Sequence, residues 1–281
     1  MTVEVFAPAK INLTLHVTGQ RADGYHLLDS LVVFADVGDV ITANPAEDTS
    51  FRITGPAASG VPKGTENLVL RAEQLMGSDR GVALTLHKVL PAASGIGGGS
   101  SDAAATLRAL SEMWGARVPD ADALMALGTD VPVCMTGRPA RISGVGEYVR
   151  PVSVPNVHMV LVNPNVPLAT SQVFDALQQK KNAAMHTELP QWQDAIDFCN
   201  WLAAQRNDLE PPARVLVPDI GVAIGEISAT TGCLMARMSG SGATCFGLYA
   251  SATEAAAAAT EIGDAHDDWW VVPAGLWQSS N

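Results

Sequence analysis

Basic residues are scarce in this 281-residue chain. Seventeen lysines and arginines stand against 29 aspartates and glutamates, and the formal net charge is −12. Nucleic acids and anionic membranes attract basic surfaces, so this balance argues against both as partners. A nucleotide ligand is still compatible with the charge, because backbone N–H groups and one or two lysines can hold phosphate on an acidic protein.

Cysteine is also scarce, and long apolar runs are absent. The four cysteines are widely spaced and form no Cys-x-x-Cys pair, so neither a structural zinc site nor a disulfide framework is expected. The N-terminus lacks a basic segment followed by an apolar one, and no apolar run reaches the length of a membrane span. We therefore expect a cytoplasmic protein. Hydrophobic residues make up 47% of the chain, which is enough for a sizeable core in one large domain or two.

Several common nucleotide-binding signatures are missing. The chain has no Gly-Lys dipeptide, which a Walker loop requires, and no His-Arg-Asp or Asp-Phe-Gly of protein kinases. Residues 95–100 fall short of the dinucleotide pattern Gly-x-Gly-x-x-Gly, because Ser100 occupies the third glycine position.

A different glycine-rich segment is present over residues 91–102, which read Pro-Ala-Ala-Ser-Gly-Ile-Gly-Gly-Gly-Ser-Ser-Asp. It lies between an alternating apolar run and an alanine-rich stretch that favours helix. Glycines followed by residues of the N-cap type predict a helix start with free N–H groups, where a phosphate group can bind. A flexible linker is the alternative, but linkers seldom separate a strand from a helix directly.

The residues near the N-terminus predict a strand that carries polar groups. Residues 9–17 alternate, which indicates a half-buried strand with one apolar and one polar face. On that strand Lys10 and Asn12 would lie side by side on the polar face.

The remaining pattern predicts an α+β protein. A break at two prolines in residues 150–156 suggests a boundary between domains 1–152 and 153–281. Helices are predicted over 67–76, 101–114, 120–127, 189–204, 219–230 and 253–262, and strands over 82–88, 157–162, 233–238, 244–249 and 269–272.

The glycine-rich segment resembles the second motif of the GHMP small-molecule kinases. Residues 8–17, 128–132 and 238–247 resemble further motifs of that family, in the same order. The resemblance implies a two-domain GHMP-kinase fold. Its N-terminal domain would contain a left-handed βαβ crossover, and its C-terminal domain would be a two-layer α/β sandwich. ATP, accompanied by Mg²⁺, would phosphorylate an alcohol in the cleft between the domains.

The same resemblance assigns catalytic roles to two residues. Asp130 would accept the proton of the attacking hydroxyl, and Lys10 would lie beside it and the transferred phosphoryl group, where its charge offsets charge in the transition state. Taken from the residues alone, Asp130 could equally be a solvated aspartate at a helix end, and Lys10 an ordinary strand lysine.

For ATP, the resemblance implies contacts along the whole loop, with Asn67 near the adenine and Lys88 near the nucleotide. Ser101 is a possible magnesium ligand, although a helix-capping role is compatible with either serine of the loop. Asn67 could equally be an N-cap and Lys88 an exposed lysine at a strand end. The loop residues concerned are Pro91, Ala92, Ala93, Ser94, Gly95, Ile96, Gly97, Gly98, Gly99, Ser100 and Ser101.

Residues 23–26, Asp-Gly-Tyr-His, resemble one branch of the family, in which the acceptor alcohol carries a cytidine diphosphate group. Residues 207–210 fit the same branch. There the matching histidine, His26, would stack on the cytosine. The acceptor side would also include Asn12, Tyr25, Thr170 and Phe174. Val32 stands where the family often has an aromatic residue, and the segment 115–127 is a few residues short.

Three other functions stay open from the sequence. A sister kinase would act on homoserine or a mevalonate-type alcohol, and residues 23–26 argue against it. An oxidoreductase would bind a dinucleotide at Gly95–Gly99, which the missing third glycine disfavours. A non-catalytic binding protein on the same fold is disfavoured because both Lys10 and Asp130 are present.

Overall fold

The structure is a computed structural model that describes residues 1–77 and 79–278. Its strands are β1 (Val3–Asn12), β2 (His16–Gln20), β3 (His26–Pro45), β4 (Ser50–Thr54), β5 (Val82–His87), β6 (Ala140–Gly144), β7 (Tyr148–Pro151), β8 (His158–Asn163), β9 (Met235–Met238), β10 (Cys245–Tyr249) and β11 (Trp270–Ala274). Its helices are α1 (Leu68–Met76), α2 (Gly98–Trp114), α3 (Ala121–Leu127), α4 (Val131–Thr136), α5 (Thr170–Ala176), α6 (Ala195–Ala203), α7 (Glu210–Leu216), α8 (Asp219–Ala229) and α9 (Ala252–Ala265). Among the described residues, no helix has both the length and the apolar character needed to cross a membrane.

The contacts divide the chain into two compact units. Unit 1 comprises Met1–Lys10, Val37–Ala92 and Gly97–Gly137, and unit 2 comprises Ile11–Asp36, Ala93–Ile96 and the described part of Arg138–Asn281. This division is not a single cut in the sequence. The boundary between residues 152 and 153, understood as a limit between separately folding segments, stays a prediction.

Unit 1 contains a parallel βαβ element. β4 and β5 pair in parallel, α1 connects them, and the second half of β3 pairs antiparallel with β5. α1 and α2 cover these strands with a core that includes Ile41, Val69, Leu84 and Leu110. The left-handedness of the crossover stays a prediction.

Unit 2 contains a four-stranded antiparallel sheet in the order β11-β8-β10-β9. α8 and α9 pack on it, and the shared core includes Val160, Val162, Ile220, Ile227 and Ile262. The first half of β3 pairs with β2 and with β6, and β6 pairs with β7. Helices on a separate antiparallel sheet agree with the α+β prediction for this half of the chain.

The prediction of a half-buried N-terminal strand was wrong on two counts. β1 ends at Asn12 and the chain re-enters a strand only at His16. The polar residues Lys10, Asn12, Thr14 and His16 are all at most 4% exposed. The polar face is covered by other parts of the chain that hydrogen-bond to it. The alternation of polar and apolar residues therefore distinguishes two buried faces, and neither face is exposed to solvent.

Two predicted helix starts were also wrong. α2 begins at Gly98 because Gly97, in the left-handed region at φ 64°, turns the chain into the helix three residues before Ser101. α6 begins at Ala195 and not at residue 189. Asp194 is its N-cap and accepts a hydrogen bond from the backbone N–H of Asp197.

Candidate active site

Unit 1 brings the two predicted catalytic side chains into direct contact. Lys10 lies near the end of β1, and its Nζ donates a hydrogen bond to Oδ2 of Asp130 at 2.7 Å. The Lys10 side chain is buried, whereas that of Asp130 is 33% exposed. Asp130 precedes α4 as its N-cap residue, yet its side chain makes no capping hydrogen bond. The carboxylate is therefore held by Lys10 on one side and is open to solvent on the other.

The N-terminus of α2 lies against the same lysine. A Cβ atom added to Gly97 would be 3.0 Å from Cβ and 3.1 Å from Cε of Lys10, so only glycine lets the chain pass this closely. The first turn of α2 also packs toward α4, since Oγ of Ser101 lies 3.4 Å from Sγ of Cys134. A cation, a carboxylate and the positive end of a 17-residue helix are thus adjacent in one unit.

Ser100 and Ser101 do not cap the helix. They lie inside its first turns, because Gly97 is the N-cap. Ser101 is buried, and its hydroxyl donates to the backbone carbonyl of Pro8 at 2.7 Å. A buried hydroxyl in this position does not fit the predicted role as a magnesium ligand. Ser100 is half-buried, and Gly99 is exposed.

Lys88 does not present its charge at the surface. Its Nζ contacts Oδ2 of Asp39 and, at 2.9 Å, Oδ2 of Asp102, and all three side chains are at most 5% exposed. Burial raises the pKa of Asp102 to about 7, against the lowering effect of Lys88 and with a further rise from Asp39. Burial alone would lower the pKa of Lys88, but the two carboxylates outweigh it and raise that pKa. The exposed strand-end lysine considered from the sequence is therefore wrong.

Asn67 serves as the N-cap of α1. Its Oδ1 accepts from the backbone N–H of Val69 at 2.9 Å, and its Nδ2 donates to the carbonyl of Pro62 at 2.7 Å. Its side chain is therefore committed to local structure, and a contact with adenine stays a prediction. Pro91 is half-buried and Ala92 is exposed, at the end of the unit 1 segment that follows β5.

The other part of the glycine-rich loop, Ala93–Ile96, belongs to unit 2 and packs on the turn at residues 239–242. The N–H of Thr244 donates to the carbonyl of Ser94 at 3.1 Å, and the Ser239 hydroxyl donates to that of Gly95 at 3.1 Å. A Cβ at Gly95 would lie 2.6 Å from backbone atoms of this turn. Ser94 and Ile96 are buried, and Ala93 is exposed.

Asn12 is oriented by a buried serine. Its Nδ2 donates to Oγ of Ser30 at 2.8 Å, and the Ser30 hydroxyl donates its only hydrogen to the carbonyl of Thr14. Ser30 can therefore only accept from Asn12, which fixes the amide with Nδ2 toward Ser30. Oδ1 of Asn12 has no donor among the described residues.

His26 and Phe174 stack on each other, with ring centroids 4.5 Å apart and planes inclined by 21°. Burial, and secondarily the charge of Lys180, lowers the pKa of His26. Tyr25 is 56% exposed, and the Thr170 hydroxyl lies 2.8 Å from that of Ser241. Val32 is fully buried. The aromatic partner of His26 in this structure is Phe174.

Sequence reasoning missed the residues that shape the turn at 239–242. Nδ2 of Asn207 donates to the carbonyls of Met238 and Gly240, and Oε2 of Glu210 accepts from the N–H of Met238. Both lie in residues 207–210, a segment whose match to the family was noticed without a role. Both residues lie far from the turn in sequence, so no local pattern could have revealed these contacts.

A second missed feature anchors the extended segment 183–187. Asp29 and Arg141 form a bidentate ion pair with both distances at 2.7 Å, and Arg141 also donates to the carbonyls of Met185, His186 and Thr187. This segment lines a cavity of about 700 Å³ together with residues of β3, β6 and β7. No signal in the sequence paired Asp29 with Arg141.

Comparison with known proteins agrees with this arrangement. Residues 66–139 match the family model of the GHMP kinases N terminal domain, and residues 182–268 match that of the GHMP kinases C terminal domain. A protein of Cereibacter sphaeroides called 4-diphosphocytidyl-2-C-methyl-D-erythritol kinase is 56% identical over 97% of this chain and 99% of its own. One of Paramagnetospirillum magneticum with the same name is 52% identical over 96% and 97%.

Solved structures show the same relation. The crystal structure of 4-(cytidine 5'-diphospho)-2C-methyl-D-erythritol kinase superposes with a TM-score of 0.82 at 33% identity, covering 99% of this chain and 100% of that one. A homoserine kinase from Cytophaga hutchinsonii shares the fold at a TM-score of 0.62 and 19% identity, over 98% of this chain and 95% of its own.

The fold and the site together define a small-molecule kinase. The chain belongs to the GHMP kinase family, and the two-domain fold expected from its motifs is confirmed.

Proposed function

We propose that this protein transfers the γ-phosphoryl group of ATP to the 2-hydroxyl of 4-diphosphocytidyl-2-C-methyl-D-erythritol. This reaction is a step in the non-mevalonate synthesis of isoprenoid precursors, and we place it in the cytoplasm. Relatives of 52% to 56% identity along nearly the full chain carry the name of this kinase. The observation that carries the proposal is the pair formed by Lys10 and Asp130 beside the N-terminus of α2.

Asp130 acts as the general base. Its partly exposed carboxylate takes the proton of the 2-hydroxyl as that oxygen attacks the γ-phosphorus. The bond from the γ-phosphorus to the bridging oxygen breaks, and ADP leaves with the bonding electrons. Lys10 holds the carboxylate in place and offsets the negative charge on the transferred group.

The N-terminus of α2 binds the phosphates of ATP. Its first N–H groups lack partners within the helix, which makes this helix end suited to an anion. We assign the adjacent loop residues, Pro91–Ile96, to the same ligand. Asn67 is assigned to the adenine side through its place at the start of α1.

A magnesium ion would supply charge neutralisation on the phosphates. No group of three histidine, cysteine or acidic residues in the described part of the chain is arranged to hold a metal. Magnesium commonly binds substrate phosphates with one or two carboxylates and keeps several waters. Ser101 does not fit that donor set, because its buried hydroxyl donates to the carbonyl of Pro8, and Asp130 is assigned as the base, so the phosphate oxygens and water would supply most of the ligands.

The acceptor is recognised by aromatic and polar groups of unit 2. We propose that the cytosine packs on the pair formed by His26 and Phe174, with Tyr25 beside it. Asn12 and Thr170 offer hydrogen bonds to the polar parts of the acceptor. Because Ser30 fixes the amide, Asn12 offers its Oδ1 and therefore selects a hydroxyl or amino group of the ligand.

A panel of alcohols tests the proposal against the sister kinases. The purified chain is incubated with ATP and the cytidine substrate, its uridine analogue, homoserine or mevalonate, and ADP release is measured. We expect rapid ADP formation with the cytidine substrate alone. Equal or faster turnover of homoserine or mevalonate would overturn the assigned acceptor, and no ADP formation with any alcohol would overturn the kinase assignment for this site.

A further inference from the structure

Lys88, Asp39 and Asp102 form a buried cluster that we call the clamp. It connects three separate parts of unit 1, since Asp39 lies in β3, Lys88 follows β5 and Asp102 lies in α2. Oδ1 of Asp39 also accepts from the backbone N–H groups of Val89 and Leu90, at 2.6 and 2.9 Å. The clamp therefore fixes α2 to the strands at a point within its first two turns.

Gly98, the first residue of α2, rests directly on the clamp. A Cβ atom at this position would lie 3.1 Å from Nζ of Lys88 and 3.8 Å from Oδ2 of Asp39. Two carboxylates hold the ammonium, so it cannot swing aside as a free lysine end would. The next glycine is different, because a Cβ at Gly99 would meet only Cδ1 of Leu68, at an ordinary 3.5 Å.

These contacts bear on the predicted role of Lys88. A buried ammonium that gives two of its three hydrogens to carboxylates, on a side chain only 4% exposed, has little capacity left to bind a nucleotide. Lys88 instead lies against Gly98, at the helix end where phosphate is proposed to bind, and could influence the ligand through the position of that backbone. The absence of a side chain at Gly98 also follows from the clamp, independently of any ligand.

We infer that Lys88 is a positioning residue, which the clamp holds beneath Gly98 and which acts on ATP only through the first turn of α2. This inference rests on the proposed function for the location of ATP. It reassigns Lys88 from the nucleotide contacts to the support of the loop. The electrostatics agree, since Asp102 and Asp39 raise the pKa of Lys88 and so keep its ammonium charged between them.

A double-mutant cycle tests the inference. The four proteins are the wild type, Gly98→Ala, Asp102→Asn and the double variant. Asp102→Asn keeps the shape of the side chain and leaves Lys88 its partner Asp39, so this background is chosen over Lys88→Met, which would strand two buried carboxylates. Affinity for a non-hydrolysable ATP analogue is measured by titration calorimetry, and urea unfolding records the stability of each variant.

With the wild-type clamp, we expect Gly98→Ala to lower the affinity for the analogue by about tenfold or more. In the Asp102→Asn background the loss should be clearly smaller, because Lys88 can move away from the added methyl group. The matched cycle with Gly99→Ala should be additive, because that methyl group does not reach the clamp. Additive effects in both cycles, or affinities that only follow unfolding, would overturn the positioning role. A folded wild type that does not bind the analogue would refute the proposed function itself.

Discussion

Replacing Asp130 by asparagine removes the proposed base and leaves the surroundings nearly unchanged. Aspartate and asparagine have the same shape, and the amide oxygen can still accept a hydrogen bond from Nζ of Lys10. The Asp130 side chain caps no helix and is 33% exposed. Lys10 is buried and keeps an acceptor but loses its charge partner, so we expect the free energy of unfolding to fall by about 1–2 kcal/mol.

Turnover should respond far more strongly than stability. An amide takes up no proton near neutral pH, and a positioned general base contributes about 10²–10⁴-fold. That factor corresponds to roughly 3–5 kcal/mol of activation free energy. We therefore expect kcat to fall by this factor while the KM values for ATP and the acceptor stay near those of the wild type.

A coupled assay of ADP release measures both parameters, and urea unfolding measures the stability. Asp120→Asn provides a matched control, because Asp120 caps α3 and asparagine caps a helix equally well. We expect that variant to keep its activity. If Asp130→Asn keeps more than about a tenth of the wild-type kcat, Asp130 is not the general base.

Three further predictions follow from other residues. Lys10→Met should lower kcat more than it raises either KM, because Lys10 acts on charge that grows in the transition state; steady-state kinetics with an unchanged kcat would reduce it to a binding residue. His26→Ala should weaken the cytidine substrate by about 5- to 150-fold and spare ATP, judged from KM for each; equal losses for both would indicate a folding defect. Burial, followed by the charge of Arg206, lowers the pKa of His16 below its ordinary 6.5. The stability that neutral His16 contributes is therefore full above pH 6.5 and is lost as the pH falls through the lowered value. Urea unfolding at decreasing pH should show this loss, and it should be smaller in His16→Gln; identical profiles would refute it.

The N-terminal strand shows how far residue patterns reach. The alternation of residues 9–17 placed Lys10 and Asn12 correctly on one strand, and β1 contains both. It could not show that the polar face is buried, because the groups that cover it come from distant sequence, such as Ser239, whose hydroxyl accepts from the N–H of Asn12 at 3.0 Å. The periodicity of a strand shows which of its faces carries the polar side chains. Contacts from distant parts of the sequence determine whether that face is exposed to solvent.

The glycine-rich loop shows a second limit. Local preference placed the helix start at the serines, which are the better N-caps. The structure starts it at Gly98, because Gly97 lies on Lys10 and Gly98 on Lys88. The close packing of Lys10 and Lys88 requires glycine at these two positions, and this requirement overrides the capping preference of the serines. The two lysines lie far apart in sequence, so no pattern within the loop could indicate it.

The acceptor side was predicted by resemblance and not by physical pattern. His26 and Phe174 are 148 positions apart in sequence, and their stacking, at 4.5 Å between centroids, depends on the fold of unit 2. The clamp was missed for the same reason. Lys88 is followed along the chain by Val89 and Leu90, and nothing nearby indicates that Asp39 and Asp102 would enclose it.

The position of the new phosphate ester tests the central claim most directly. The reaction of ATP with 4-diphosphocytidyl-2-C-methyl-D-erythritol is followed by phosphorus NMR. The 2-carbon carries a methyl group and no hydrogen, so phosphate on the 2-hydroxyl should give a new monoester signal without three-bond coupling to hydrogen. A coupled signal would place the phosphate on another hydroxyl, and the absence of any ATP-dependent monoester would contradict the account.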